Sequence, residues 1–434
     1  MKVKIVNADI RKSGNKIRIG GYKHSFVVVV CAALMCNINV EISNVPEIKE
    51  KTVFIKILEI LGKNISFSKN KLILFQSQVR KIKVPDNITN LVHGSMYFLP
   101  VLLNLNHEVQ IFESGGCRIG DALNKSTRPI QHVLKVMKEF GAEIKDDYMF
   151  LEKYHGIHID IMEYSTATNE LRGPYVSGAT KTAILCALGA NERTVIKNPY
   201  LKADVIELLQ FAEQIGYVIC KLPRKIIIDK KSNVRKDVLK YSLGSDVTEI
   251  ITFISYAVYY NVEMLMENIT VEFVKESLKK EFEYLQKMGI KIRFGNNTMR
   301  VYSHEDIKEV NIDVTGESIY SDSQPFFALM LLRAKKESVI IEYVWKSRYE
   351  YAKEMQYAGA NIRILDNKLI INQTLTEFGP VTLKSKDLRG AAVLTLFVLE
   401  REGSVIEGIE HIDRGYEFFW DKLRSLGIET YTYE

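Results

Sequence analysis

A thiol flanked by glycines, with a cation beside it, is the most reactive arrangement in this sequence: Gly115-Gly116-Cys117-Arg118-Ile119-Gly120. The glycines leave backbone N–H groups open to an anion, and the neighbouring guanidinium favours the ionised form of the Cys117 thiol. Three further segments place charge at predicted strand-to-helix junctions, where loops carry ligand-binding groups. They are Ser321-Asp322-Ser323-Gln324-Pro325, Asp387-Leu388-Arg389-Gly390 and His411-Ile412-Asp413-Arg414-Gly415-Tyr416. Each also has a structural reading: Asp322 and Asp387 suit helix N-caps, and Arg389 and Arg414 suit surface ion pairs. His155 and His158 lie three apart in a segment predicted as strand, a spacing that turns them to opposite faces, so no metal site is expected. Neither a GxxxxGK phosphate loop nor a Gly-rich dinucleotide fingerprint after the first strand is present.

Whole-chain properties narrow the partners. A net charge of +6 over 434 residues favours small anions. The basic residues are dispersed rather than gathered with aromatics into a stripe, which argues against nucleic acid. Five cysteines without paired spacing point to a reducing compartment and a cytoplasmic protein. Cys31, Cys36, Cys186 and Cys220 sit in apolar runs, where a free thiol behaves as a small hydrophobe. The N-terminal residues lack a signal-peptide layout. The aliphatic stretch from Phe26 to Met35 is too short to span a bilayer, which needs about 20 residues. No membrane partner is expected.

The elements that position these groups recur. A helix end, a glycine and a β-prone segment appear six times, at Gly62, Gly141, Gly216, Gly289, Gly359 and Gly427, with spacings that shorten from 79 to 68 residues. Glycine suits a helix C-terminus because it enters the left-handed region without a Cβ penalty. Hairpins are predicted after several of them, turning at Lys69-Asn70, Asn296-Asn297 and Asp366-Asn367. Upstream of the glycines comes a helix, a polar break and a strand such as Val40-Glu41-Ile42 or Val339-Ile340-Ile341. Six such units exceed one core and predict two α/β domains of three units each.

Taken together, these motifs resemble the enolpyruvyl transferase family, and within it the UDP-N-acetylglucosamine 1-carboxyvinyltransferase branch. The resemblance runs along the whole chain. It is sharpest in His411–Tyr416 followed by Asp421-Lys422-Leu423-Arg424-Ser425-Leu426-Gly427, and it is supported in order by Asn44-Val45-Pro46, Gly115–Gly120, Ser177-Gly178-Ala179-Thr180 and Asp387-Leu388-Arg389. It implies an inverse α/β barrel-like fold of two three-unit domains joined by a double crossover. Residues 1–22 would join 242–434, and 23–241 would form the inserted domain with the Cys117 loop. It also implies transfer of the enolpyruvyl group of phosphoenolpyruvate to a hydroxyl of an anionic acceptor, a UDP-sugar, with release of phosphate, as in peptidoglycan precursor synthesis. No metal or organic cofactor is implied.

By this resemblance Lys23, Cys117, Asp322 and Arg414 are catalytic. Cys117 would give a proton to C3 or form an adduct with the donor, and would be alkylated by fosfomycin. Asp322 would take the acceptor's proton. Lys23 would stabilise charge on the phosphate and the intermediate. His24, Lys49, Arg128, Pro129, Ser177, Gly178, Arg348, Asp387 and Arg389 would bind substrates. Phosphoenolpyruvate carries a carboxylate and a phosphate, and planar guanidinium groups bind both in paired geometry.

The departures from the family pattern lie mainly on the acceptor side. His24 stands for an asparagine, His93 for an arginine, Pro174 for a lysine, Val176 for a serine, Val247 for an arginine and Gln131 for an aspartate. The reactive loop is longer between Asp121 and Thr127. Two further expectations therefore stand beside UDP-N-acetylglucosamine: a paralogue with the same donor and another nucleotide or sugar acceptor, and a catalytically silent ligand-binding relative. The retained Lys23, Cys117, Asp322 and arginines argue against the silent form. The C-terminal motif and Cys117 argue against shikimate 3-phosphate as acceptor.

Overall fold

The computed structural model describes residues 1–79, 81–115, 130–164, 177–229, 237–345, 348–374 and 379–434. Within these residues the chain divides into two units, one of residues 1–20 and 245–434 and the other of 21–115 and 130–244. The chain passes between them at Gly20–Gly21 and Gly244–Ser245.

Each unit is organised by three helices with no polar face. In the first these are Val247–Tyr259, Gln324–Leu331 and Leu388–Phe397, which pack on one another and are buried almost throughout. In the second they are Lys23–Ala33, Phe98–Asn106 and Ser177–Gly189. A helix apolar on every side must be covered on every side. The Lys23 helix shows how strongly this acts. It contains Val27-Val28-Val29-Val30, a β-branched run with weak helix propensity, all four buried. Burial on all faces outweighs that preference.

Sheets supply the cover. In the second unit, Val238–Ser242, Asn39–Ser43, Lys71–Leu74 and Ile65–Ser68 form one sheet in that spatial order, and Val218–Leu222, Lys225–Asp229, Thr194–Lys197 and His158–Asp160 another. The strands Glu108–Gln110, Tyr148–Phe150 and Glu143–Lys145 make a third. The first unit likewise has three sheets, each of four strands. In the repeated plan a central strand pairs parallel on one side and with a hairpin on the other. One sheet is completed from the far end of the chain: Lys2–Ala8 lies between Val405–Glu407 and Ile428–Tyr433, antiparallel to both. The sixth unit thus takes the second strand of its hairpin from the N-terminus.

All six repeated glycines have φ between +74° and +104°. Lys69, Asn297 and Asp366 take left-handed φ at the three predicted hairpin turns. Two expectations are corrected. Only His158 begins a strand, whereas His155 precedes it in irregular backbone. Among the described residues no cluster of potential metal ligands occurs. Cys220 is exposed rather than packed, because Val218–Leu222 is an edge strand with its outer face uncovered. Among the described residues no helix is long and apolar enough to cross a membrane.

Gly289 and Gly427 separate two costs. A Cβ at Gly289 meets nothing closer than 3.7 Å, so only its φ of +89° opposes substitution. At Gly427 a Cβ would also lie 2.5 Å from the Asp9 carbonyl oxygen. Gly289→Ala should lose about 1–2 kcal/mol of stability, and Gly427→Ala distinctly more. Urea unfolding of the two variants checks the order; equal losses would remove the steric contribution at Gly427.

Candidate active site

In the first unit the predicted acid and two predicted arginines meet. Asp322 Oδ1 accepts from Arg348 Nη2 at 2.7 Å, and Oδ2 accepts from Arg389 Nη2 at 3.1 Å and Nε at 3.3 Å. Asp322 is therefore not the cap of the following helix; Ser323 holds that position, with no side-chain cap bond. Asp387 does cap its helix, accepting the Arg389 and Gly390 N–H groups at 2.9 Å. This fixes the first turn and aims Arg389 at Asp322. Arg389 is buried, unlike a surface ion-pair partner. Its guanidinium lies 5.2 Å from the centroid of the Tyr416 ring, and the Tyr416 hydroxyl shares a hydrogen bond with Thr252 at 2.8 Å. The His411–Tyr416 run thus bears on the cluster through Tyr416, two residues beyond Arg414. Arg414 ends the short helix Ile409–Arg414 and is partly exposed.

A second layer was not predicted. Arg348 Nη1 donates to Ser321 Oγ at 2.9 Å, and Ser321 donates to Glu342 Oε2 at 2.8 Å. Glu342 also accepts the Val344 and Trp345 N–H groups. Burial raises its proton affinity, and Arg348 opposes that. A signal existed: Ser338–Glu342 alternates buried and half-buried, and Glu342 falls on the buried face with Ser338 and Ile340. An acid on that face needs a cation. Burial works against the charge on Arg348 and Arg389, but it is outweighed: Asp322 and Asp387 act on Arg348, and Tyr416 and Asp322 on Arg389. Among the described residues Arg389 Nη1 is buried without a well-formed hydrogen bond, with Tyr416 acting on the guanidinium from its ring side. A buried guanidinium nitrogen without an acceptor is costly unless an anion arrives.

In the second unit the Lys23 helix begins at Lys23, whose ammonium pairs with Glu50 at 3.4 Å, both side chains nearly buried. His24 is half-buried and edge-on to Tyr22 at 5.4 Å. Lys49 starts the neighbouring helix and is exposed. Ser177 starts the third central helix of this unit. Gly178 follows it because the His132 ring occupies the space: a Cβ there would lie 2.2 Å from His132 Nε2. Cys117, Arg128, Pro129, Pro174 and Val176 lie outside the described residues. Of the other departures, His93 shares a hydrogen bond with Ser114 at 3.3 Å. Gln131 is an exposed helix start, and Val247 is fully buried in the core.

Sequence reasoning also missed three buried charges of this unit. Lys181 and Asp204 pair at 2.5 Å. Glu207, one turn beyond Asp204, accepts the Gly244 N–H at 2.6 Å. The signal was Ala203-Asp204-Val205-Ile206-Glu207-Leu208, acids inside an otherwise apolar run.

Two three-sheet units around apolar helices, one of them holding the buried Arg348–Asp322–Arg389 cluster, define a two-unit α/β protein. The comparisons make the class specific. The chain belongs to the EPSP synthase (3-phosphoshikimate 1-carboxyvinyltransferase) family, whose profile matches residues 9–423. It is an enzyme, an enolpyruvyl transferase. It is 27% identical to UDP-N-acetylglucosamine 1-carboxyvinyltransferase 2 of Caldanaerobacter subterraneus subsp. tengcongensis over 95% of each chain. It is 26% identical to UDP-N-acetylglucosamine 1-carboxyvinyltransferase of Halothermothrix orenii, over 96% of this chain and 97% of the other. Among solved structures it resembles the enolpyruvyl transferase NikO from Streptomyces tendae, with a TM-score of 0.88 and 26% identity over 99% and 98% of the two chains. EPSP synthase from Acinetobacter baumannii shares the fold, with a TM-score of 0.73 at 14% identity over the full length of both chains.

Glu207 gives a pH prediction. Burial raises its carboxyl from 4.5 to about 7, with Ser25 and the Gly244 N–H pulling the other way. The folded state therefore holds the proton more tightly, and stability is lost as pH rises from the unfolded value through the folded one. At about 1.4 kcal/mol per pH unit the loss is about 3 kcal/mol by pH 8. Glu207→Gln keeps an acceptor for Gly244 and removes the charge, so it should be more stable than the parent at pH 8 and similar at pH 5. Urea unfolding at both pH values checks this; no gain at pH 8 would contradict it.

Proposed function

We propose that this enzyme transfers the enolpyruvyl group of phosphoenolpyruvate to a hydroxyl of UDP-N-acetylglucosamine, releasing phosphate. The observation that carries the reading is the Arg348–Asp322–Arg389 cluster, in which the buried Arg389 Nη1 makes no well-formed hydrogen bond among the described residues. Guanidinium groups held in this way suit the carboxylate and phosphate of the donor. The curated relatives that bear this activity in their names match along nearly the whole chain.

In this reading Arg348, Arg389, Arg414 and Arg128 hold the donor, with Asp387 fixing the turn that presents Arg389. The acceptor oxygen adds to C2 as its proton passes to Asp322, and Cys117 delivers a proton to C3. The resulting tetrahedral intermediate then loses a proton from C3 and expels phosphate, restoring the double bond. Lys23 stabilises the phosphate and the intermediate. Lys49 lies near both substrates, and His24, Pro129, Ser177 and Gly178 contact the acceptor. Guanidinium groups take three of the four or so acceptor sites of the Asp322 carboxylate, so turning an arginine away frees it further to take the acceptor's proton. The donor's own negative charge supplies the competing partner.

A second reading, the same donor with another nucleotide or sugar acceptor, is favoured by Val247. Its side chain is fully buried in the core, so it offers no cation to an acceptor.

Phosphate release from phosphoenolpyruvate decides between the two. Release with UDP-N-acetylglucosamine is expected; release only with another member of a nucleotide and shikimate 3-phosphate panel would favour the second reading. Arg389→Ala should raise the phosphoenolpyruvate KM at least ~10-fold, since a hydrogen bond to a charged group is worth about 1.5–3 kcal/mol. An unchanged KM would remove Arg389 from the donor site.

A further inference from the structure

Two buried acids grip the segment that carries Asp322, and they grip different parts of it. Glu281 Oε1 accepts the Tyr320 N–H at 2.8 Å and the Ser323 hydroxyl at 3.0 Å, so it holds the segment on either side of Asp322. Glu342 reaches the side chain in between: its Oε2 accepts the Ser321 hydroxyl at 2.8 Å. Glu281, Ser321 and Glu342 are each 1% exposed, and Arg348 is 6% exposed. Bulk water scarcely competes for these bonds, and each is stronger in a low-dielectric interior.

Glu342 is fixed by more than this bond. Its Oε1 accepts the Val344 N–H at 2.8 Å and the Trp345 N–H at 3.1 Å, and its own N–H donates to the Tyr349 hydroxyl at 3.0 Å. Tyr349 adjoins Arg348 in the chain and in turn donates to the Asn367 carbonyl at 2.6 Å. Two N–H groups and a hydroxyl proton thus face the Glu342 oxygens, a set that suits a carboxylate. Burial favours the protonated form, and Arg348 opposes it.

The consequence lies one bond further on. With its proton committed to Glu342, the Ser321 oxygen has only lone pairs to turn elsewhere. It accepts from Arg348 Nη1 at 2.9 Å, while Arg348 Nη2 donates to Asp322 Oδ1 at 2.7 Å. One edge of the guanidinium is therefore held by a hydroxyl whose direction is set by Glu342, and the other edge by Asp322.

We propose that Glu342 is a positioning residue for phosphoenolpyruvate: through the Ser321 hydroxyl it sets the orientation in which Arg348 meets the anionic groups of the donor. The role is exerted through Ser321 and not by contact with the substrate. It rests on the reading that Arg348 holds the donor.

Equilibrium binding of phosphoenolpyruvate to the free enzyme, followed by calorimetry, tests the role without turnover or an acceptor. Glu342→Gln keeps an oxygen for the Val344 and Trp345 N–H groups but presents N–H donors to Ser321 in place of an acceptor. Ser321→Ala removes the intermediary and leaves the carboxylate. Each should raise the phosphoenolpyruvate Kd about 10-fold, the effect of losing one hydrogen bond to a charged group. The double variant should bind no worse than either single one, because both cut the same chain of bonds; independent effects would multiply to about 100-fold.

A parental Kd in Ser321→Ala, or multiplied losses in the double variant, would make Glu342 a fold-stabilising acid only and overturn the proposal. Arg348→Ala separates that result from failure of the underlying reading. Loss of phosphoenolpyruvate binding in Arg348→Ala, with parental binding in the Glu342 and Ser321 variants, removes Glu342 alone. No loss in Arg348→Ala, or no binding by the parent, removes Arg348 from the donor site and the positioning role with it.

Discussion

Helices without a polar face constrain this protein more than any other feature. Once Lys23–Ala33, Ser177–Gly189, Val247–Tyr259, Gln324–Leu331 and Leu388–Phe397 must be covered along their sides, polar chemistry is confined to their ends. The candidate residues sit there. Lys23 and Ser177 open their helices, Asp387 caps its own, and Asp322 precedes the Ser323 cap. His93 opens the short helix that leads into Phe98–Asn106. Helix N-termini present unsatisfied N–H groups and the positive end of the backbone dipole, which suits an enzyme whose donor carries a carboxylate and a phosphate.

The second governing feature is the pairing of buried charge. Most cations brought inside meet an acid: Lys23 meets Glu50, Lys181 meets Asp204, Lys422 meets Glu249, and Arg348 and Arg389 share Asp322, whereas buried Lys63 donates to the Ser77 carbonyl. Such pairs add little net stability over apolar packing, but breaking one leaves an uncompensated ion and costs about 3–5 kcal/mol. Their value is therefore geometric. Arg389 is the revealing case, since its Nε and Nη2 bond Asp322 while Nη1 makes no well-formed hydrogen bond among the described residues. The fold carries that desolvation cost at one defined place, where a substrate anion can relieve it.

At positions 93 and 247, where the resemblance leads to an expectation of cations, stand a histidine bonded to Ser114 and a buried valine. In the second unit the first turn of the Lys23 helix is backed by Glu50, which pairs with Lys23, and by Glu207 through Gly244. Relatedness at 26–27% identity along the whole chain is compatible with retained donor chemistry and a reshaped acceptor pocket.

Local chemistry was sufficient to read the six glycine-closed units, the hairpin turns and the positions of Asp387 and Arg389 at a helix start. Each depends on short-range rules: a left-handed φ that suits glycine, alternation across a strand, a carboxylate capping two N–H groups. Tertiary structure alone decided the rest. It drew Lys2–Ala8 into a sheet with Ile428–Tyr433, because an edge strand pairs with whatever complementary backbone the fold brings alongside it. It turned Asp322 from a cap into the shared partner of two arginines remote in sequence. It also set Glu207, an acid of an otherwise apolar helix, against Gly244, whose carbonyl accepts the Tyr22 N–H some 180 residues earlier. Electrostatic partnership depends on distance in space, and no spacing along the chain encodes that.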